Sequence, residues 1–235
     1  KFNNIVNLRK IINRNKKNIY AIFIEPFSCS TLTETNKKFL LEARKLCNQH
    51  KILMVFDEIY SGFGKCGYDF YFNKYGVKPD IITLSKSLGG GKSSISAYVT
   101  TKDVFVKSYG SLAGSLLHST TYNSLAEECA TVIETTNLLN DKKLTKNLSE
   151  LEMLIKKKLN ILKSKYPNII SEVRGAGCHH GIIFKKKFNF LKKIIKLIPI
   201  KFIQDPLFLD KIIVTSIMEE YFSKKNKITS FTSNM

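Results

Sequence analysis

At 235 residues the chain is long enough to bury one core, or one core with a smaller lobe beside it. Its net charge of +19 rests on dispersed lysines, with only Arg9, Arg14, Arg44 and Arg174 carrying guanidinium groups, which argues against the phosphate-gripping surface of a nucleic-acid binder. Five cysteines without a C-x-x-C argue against a disulfide framework and suit a reducing, cytoplasmic setting, and no apolar run reaches the roughly 18–20 residues of a membrane span.

Residues 20–24, Tyr-Ala-Ile-Phe-Ile, form the first short apolar run, closed by Glu25-Pro26. From Thr35 to Gln49, Phe39, Leu40, Ala43, Leu46 and Cys47 recur at helical spacing, with Lys and Glu on the other side. A second apolar run, 52–56, ends at Asp57-Glu58, and a third, 81–84, leads into Ser85-Lys86-Ser87. Such runs, without alternation, are what strands buried on both faces look like. Strand, helix, strand is the crossover unit of a parallel sheet.

A fourth strand is expected over 95–101, then helices over 123–139 and 144–166. After Pro167 the pattern changes to short strands, 169–173 and 181–184, flanked by Gly175 and Gly177. A last helix is expected over 211–222. The expected fold class is therefore α/β: a mostly parallel sheet with flanking helices, followed by the start of a small α+β C-terminal domain. Residues 1–140 would belong to the large domain, and 141–235 would supply a linking helix and part of the small one. The two ends, Lys1 and Met235, read as cuts within a longer chain, so a targeting segment is not legible here.

Open parallel sheets bind ligands beyond the carboxyl ends of their strands. Three polar features sit at such ends: Glu25-Pro26, Asp57, and Lys86 followed by Gly89-Gly90-Gly91. A carboxylate and a primary amine delivered to one crevice suit pyridoxal phosphate. That cofactor needs an amine to form a Schiff base and an acid partner to keep its ring nitrogen protonated. Taken singly, each residue has a plainer reading, Asp57 as a turn residue and Lys86 as a solvated cation. Gly91-Lys92-Ser93 resembles the end of a phosphate loop, but the glycine that motif requires five residues earlier is Lys86. Cys178-His179-His180 lacks a second ligand pair, so no metal site is expected.

The stretch Asp57-Glu58-Ile59-Tyr60-Ser61-Gly62-Phe63-Gly64-Lys65-Cys66-Gly67 resembles the class III pyridoxal-phosphate aminotransferases. So does the run from Gly76-Val77-Lys78-Pro79-Asp80 to Ser85-Lys86-Ser87-Leu88-Gly89-Gly90-Gly91, at the family's spacing. Ile24-Glu25-Pro26, Leu117 to Tyr122, and Val173-Arg174-Gly175-Ala176-Gly177 add to the match, which covers most of 20–184. The resemblance implies a fold-type I homodimer with its sites at the subunit interface.

In such enzymes the residue matching Lys86 carries the cofactor and shuttles a proton, and the one matching Asp57 binds the ring nitrogen. Thr121 matches a threonine that reaches the cofactor phosphate of the partner subunit; its plainer reading is a hydroxyl in a turn. Tyr60 replaces a common glutamine near the cofactor's phenolic oxygen and is a candidate contact. Ser30 stands about where ornithine-type members carry a glutamate, which weighs against an ornithine or GABA donor. The family's phosphate cup and ring-stacking aromatic would lie upstream of Lys1, and its carboxylate-gripping arginine beyond Met235. The implied reaction moves an amino group from an amine or amino acid to a keto acid or aldehyde. A mutase or racemase on the same scaffold and a catalytically incomplete fragment are the alternatives.

Overall fold

The computed structural model describes residues 2–185. Helix α1 (Ile5–Asn15) starts where the Asn4 side chain accepts the Asn7 N–H at 2.8 Å, and it buries Ile12. Strand β1 (Ala21–Ile24) leads to a short hairpin, β2 (Phe27–Ser28) with β3 (Thr33–Glu34). Helix α2 (Lys37–His50) is capped by Asn36, whose side chain accepts the Lys38 N–H at 2.8 Å. It stops at Lys51, which turns left-handed at φ +56° and returns its N–H to the Cys47 carbonyl. A side-chain N-cap such as Asn36 stabilises a helix by about 1 kcal/mol.

The apolar spacing of α2 places Leu40, Ala43, Leu46 and Cys47 on one buried face. They pack with Ile12, Ile24, Met54 and Phe56 into the main core. Burying each large side chain contributes on the order of 1.5–3 kcal/mol, which adds to the good helix propensity of the Lys, Leu, Glu, Ala and Arg residues that make up α2.

Strands β4 (Leu53–Asp57), β5 (Ile81–Leu84) and β6 (Ala97–Thr100) complete a four-stranded sheet in the order β1-β4-β5-β6. The first three are parallel, with Ala21 beside Leu53 and Val55 beside Ile81. β6 runs the other way, pairing Ala97 with Leu84 and Thr100 with Ile81. Asp80 ties the entry of β5 to its neighbours: one carboxylate oxygen accepts Arg44 Nη1 at 2.8 Å and the Met54 N–H at 2.7 Å. Helices α3 (Lys102–Tyr109), α4 (Ala126–Leu139) and α5 (Lys142–Lys165) follow, and then the antiparallel pair β7 (Ile170–Ala176) and β8 (His179–Phe184).

The fold is the expected α/β class, with a mainly parallel sheet. Several boundaries differ from those the sequence suggests. The fourth strand is shorter than 95–101, because Ile95 instead gives its carbonyl to the Ser85 hydroxyl. The two late strands are longer than expected and meet in a hairpin with a bulge near Ile170 and Glu172. Helices α1 and α3 are additions. The helix expected over 211–222 lies outside the described residues. No described helix is long and apolar enough to cross a membrane.

Candidate active site

Because β4 and β5 are adjacent and parallel, their carboxyl ends emerge on the same edge of the sheet. Asp57, the last residue of β4, stands beside Thr83 of β5, and Lys86 follows three positions later. The Glu58 N–H extends the pairing by one more bond, to the Thr83 carbonyl at 3.1 Å. The Asp57 carboxylate then accepts the Ile59 N–H at 3.0 Å. That local bond turns the chain out of the strand, and it occupies one oxygen only. Among the described residues Asp57 forms no ion pair. The two groups share an edge without neutralising each other.

Lys86 opens a tight helical turn, Lys86–Gly89, in which Leu88 and Gly89 are buried. Its own backbone is left-handed, at φ +50°. The turn closes at Gly90, also left-handed, whose N–H reaches the Ser87 carbonyl at 3.0 Å. Gly90 has no room for a side chain, since a Cβ there would lie 2.6 Å from the Thr135 hydroxyl of α4. Buried backbone on one side and helix α4 on the other hold the turn while the Lys86 side chain is exposed. Its amine lies 5.3 Å from the centre of the Tyr60 ring.

Tyr60 is half-buried in the loop after β4. Its hydroxyl lies 2.7 Å from Nδ1 and 2.8 Å from Nε2 of His179, and the two rings meet nearly edge-on. The Lys65 amine sits over the Tyr60 ring, 3.7 Å from its centre. Burial pushes the Tyr60 phenol up to about 12. Burial first, then the charges of Lys65 and His180, lowers the pKa of His179. Both directions favour the neutral forms at physiological pH.

Two features hold this loop. Glu58 is fully buried, accepts the Phe72 N–H at 2.9 Å and receives the Ser61 hydroxyl. Burial raises its pKa, against the lowering effect of those two bonds. On the other side, the β7–β8 turn presses on the segment 65–67. The Cys178 N–H donates to the Lys65 carbonyl at 3.0 Å. A Cβ on Gly177 would stand 2.4 Å from the Cys66 carbonyl carbon. That close approach brings His179 to Tyr60.

Of the sequence-predicted residues, Asp57, Tyr60 and Lys86 therefore come to one region. Thr121 does not join them: it is exposed between α3 and α4, with no side-chain hydrogen bond to the described chain. In the sequence His179 stands only in a run that lacks the ligands of a metal site and suits a buried or loop position, and nothing local marks Glu58 or Lys65. The doublet His179-His180 at the start of a strand is the one hint, and its value depends on a contact across 119 positions. Among the described residues no group of three or more His, Cys, Asp or Glu could hold a metal ion.

The residues fit pyridoxal phosphate. An exposed amine and a carboxylate with an oxygen to spare emerge from neighbouring strands, and the buried Thr83 hydroxyl between them has no partner in the described chain.

Residues 3–229 match the family model described as aminotransferase class-III. An acetylornithine/succinyldiaminopimelate aminotransferase of Buchnera aphidicola is 33% identical over 174 residues, covering 74% of this chain and 40% of that protein. A putrescine aminotransferase of Pectobacterium atrosepticum is 33% identical over 204 residues, covering 82% and 42% respectively. Among solved structures, an ornithine aminotransferase of Plasmodium yoelii superposes with a TM-score of 0.67 at 27% identity, over 78% of this chain and 47% of that one. The chain thus spans about two fifths of the length of these curated relatives. It belongs to the class-III aminotransferases, a family of pyridoxal-phosphate-dependent enzymes.

Proposed function

We propose that this class-III aminotransferase chain carries the cofactor-holding lysine of a transaminase. Lys86 binds pyridoxal phosphate through a Schiff base, Asp57 partners its ring nitrogen, and Tyr60 lies alongside as a contact. The observation that carries the reading is the adjacency of two parallel strand ends, one acidic and one amine-bearing, with their side chains not paired to each other. When bound, the cofactor supplies an electron-accepting ring that stabilises negative charge at the substrate's α-carbon.

The rest falls to the protein. The Asp57 carboxylate, with one oxygen fixed by Ile59, offers the other to a protonated nitrogen and holds the proton there. The Lys86 amine, on an exposed stem, would, once released by the incoming substrate, take a proton from the substrate's α-carbon and deliver it two atoms away, across the bridging nitrogen. Burial of Glu58 and the Gly177 contact fix the loop that presents Tyr60.

The substrates are an amino donor, either an amine or an amino acid, and a keto acid or aldehyde acceptor. The named relatives are all aminotransferases, which favours amino transfer over isomerisation on the same scaffold. The working form is a cytoplasmic homodimer. In it the exposed Thr121 reaches the cofactor phosphate of the partner subunit. Residues 1–140 belong to the large cofactor-binding domain, and 141–235 to a linking helix and part of the small domain. Neither nucleic acid nor membrane is a partner.

The test is chemical. The protein is incubated with pyridoxal phosphate, reduced with borohydride and digested, and the labelled peptide is identified by mass spectrometry. Label on Lys86, abolished together with the visible absorbance band in Lys86→Ala, is the expected result. Label on another lysine, with the band intact in the variant, would overturn the assignment.

A further inference from the structure

The Lys65 ammonium has no answering charge. Among the described residues it enters no ion pair. Its side chain is half-buried and lies over the Tyr60 ring, 3.7 Å from the centre. An aromatic face attracts a cation without cancelling its charge. The carboxylates of the neighbouring strand ends are engaged elsewhere. Glu58 accepts the Ser61 hydroxyl and the Phe72 N–H, Asp57 accepts the Ile59 N–H, and Glu25 accepts the Cys29 N–H at 2.9 Å. Glu152, which approaches the loop at Gly67, pairs with Lys156. A partly desolvated charge without a counter-ion is costly, and an anionic ligand recovers that cost.

The fold keeps this ammonium beside the proposed cofactor lysine. Gly64 and Cys66, on either side of it, are buried, and the Lys65 carbonyl accepts the Cys178 N–H at 3.0 Å. The base of the side chain is therefore clamped between the loop and the β7–β8 turn. The Lys86 amine approaches the same phenol ring, 5.3 Å from its centre. The two amines are thus separated by no more than the sum of those two distances, about 9 Å. The charge of Lys65 is also felt by its other neighbours: it lowers the pKa of His179 and works against the burial that raises Cys66.

We propose that Lys65 receives a carboxylate of the amino donor, which makes the donor an amino acid and not a plain amine. This deepens the aminotransferase reading and rests on it for the place of the donor nitrogen, which takes over the position of the Lys86 amine. A carboxylate oxygen hydrogen-bonded to Lys65 at about 2.8 Å leaves at most about 6 Å to span from that nitrogen, a reach that short amino acids cover.

The experiment has two arms. In the first, binding of propanoate, a carboxylate without an amine, to the cofactor-free protein is measured by saturation-transfer NMR. Lys65→Met keeps an unbranched stem and removes the charge, so affinity should fall about tenfold or more, the effect of losing a charge-assisted hydrogen bond. Lys65→Arg supplies another cationic donor and should stay within about threefold of native. Equal affinity in native and Lys65→Met would overturn the inference, and an equal loss in both variants would mark a structural role and overturn it too.

In the second arm pyridoxal phosphate is added and the half-reaction is followed at the visible band. The donors are ethylamine, alanine and β-alanine, the last two being ethylamine with a carboxylate added at one carbon or the other. The native protein should favour at least one of the two acids over ethylamine in kcat/KM by about tenfold or more, and Lys65→Met should lose that preference. A native protein indifferent to the carboxylate overturns the substrate class. A Lys65→Met protein that fails to take up the cofactor, where Lys65→Arg succeeds, assigns Lys65 to the cofactor phosphate and also overturns the inference. Lys65-dependent propanoate binding in a protein whose band does not need Lys86 overturns the cofactor reading and leaves the anion site standing. Propanoate binding independent of Lys65, with a band that needs Lys86, does the reverse.

Discussion

Glu58 is the residue whose replacement tests the architecture of the site most directly. It follows Asp57, precedes the Tyr60 loop and is only 1% exposed. Glu58→Ala strands two donors, the Phe72 N–H and the hydroxyl of the fully buried Ser61. Each orphaned donor costs about 1–3 kcal/mol, and truncation of a large buried side chain adds about 2 kcal/mol or more for the lost contacts. The expected loss is about 4–8 kcal/mol, enough to unfold a marginal domain. Glu58→Gln keeps the shape and one carbonyl acceptor for Phe72, and it should cost less than about 1.5 kcal/mol.

The two variants also differ in pH behaviour. Burial raises the folded pKa of Glu58, so its favourable contribution is fully present below the unfolded carboxyl value and is lost as pH rises through the folded one. Each unit of that raise corresponds to about 1.4 kcal/mol. Urea unfolding at several pH values gives the comparison. Relative to native, Glu58→Gln should gain stability as pH rises from acid to neutral. A Glu58→Ala variant within 1 kcal/mol of native, on the scale of about one hydrogen bond, or a pH-independent difference for Glu58→Gln, would refute the reasoning.

Three further outcomes follow from the same geometry. Asp57→Ala should retain cofactor through Lys86 yet lose turnover by about 10²-fold or more; unchanged turnover in a stopped-flow half-reaction would remove Asp57 from the site. Gly177→Ala combines φ +57° with a Cβ 2.4 Å from backbone atoms of Cys66 and Gly67, so thermal unfolding should report a loss of about 3 kcal/mol or a failure to fold. Cys66 is buried, with burial pushing its thiol up to about 12, and Cys47 is buried with a thiol raised to about 11. Alkylation at neutral pH followed by mass spectrometry should label both only after denaturation.

How much of this was legible beforehand depends on range. Although the equally apolar β1, at the sheet edge, leaves Phe23 69% exposed, the interior strands β4 and β5 announce themselves as continuous apolar runs. Their ends mark Asp57 and Lys86, since a polar residue closing such a run has few places to go except the sheet edge. α2 is equally plain from its spacing. The orientation of β6 was not legible, because an antiparallel edge strand and a parallel one have the same short apolar pattern.

His179 was hidden for a different reason. Its meaning lies in a contact with Tyr60 that depends on how the β7–β8 turn settles onto residues 65–67, and no local pattern encodes that distance. Glu58 shows the opposite failure: adjacent in sequence to Asp57, it points into the core instead of the crevice. Neighbouring residues at a strand end face opposite ways.

The left-handed backbone of Lys86 sets fold and chemistry against each other at a single position. An L-residue in that conformation costs roughly 1–2 kcal/mol relative to a relaxed one, and glycine would remove the strain. Only the amine argues for keeping lysine there. A selection for sturdiness alone would therefore drift away from the lysine proposed to hold the cofactor, and on that proposal the most heat-tolerant descendants of this chain would be the inert ones.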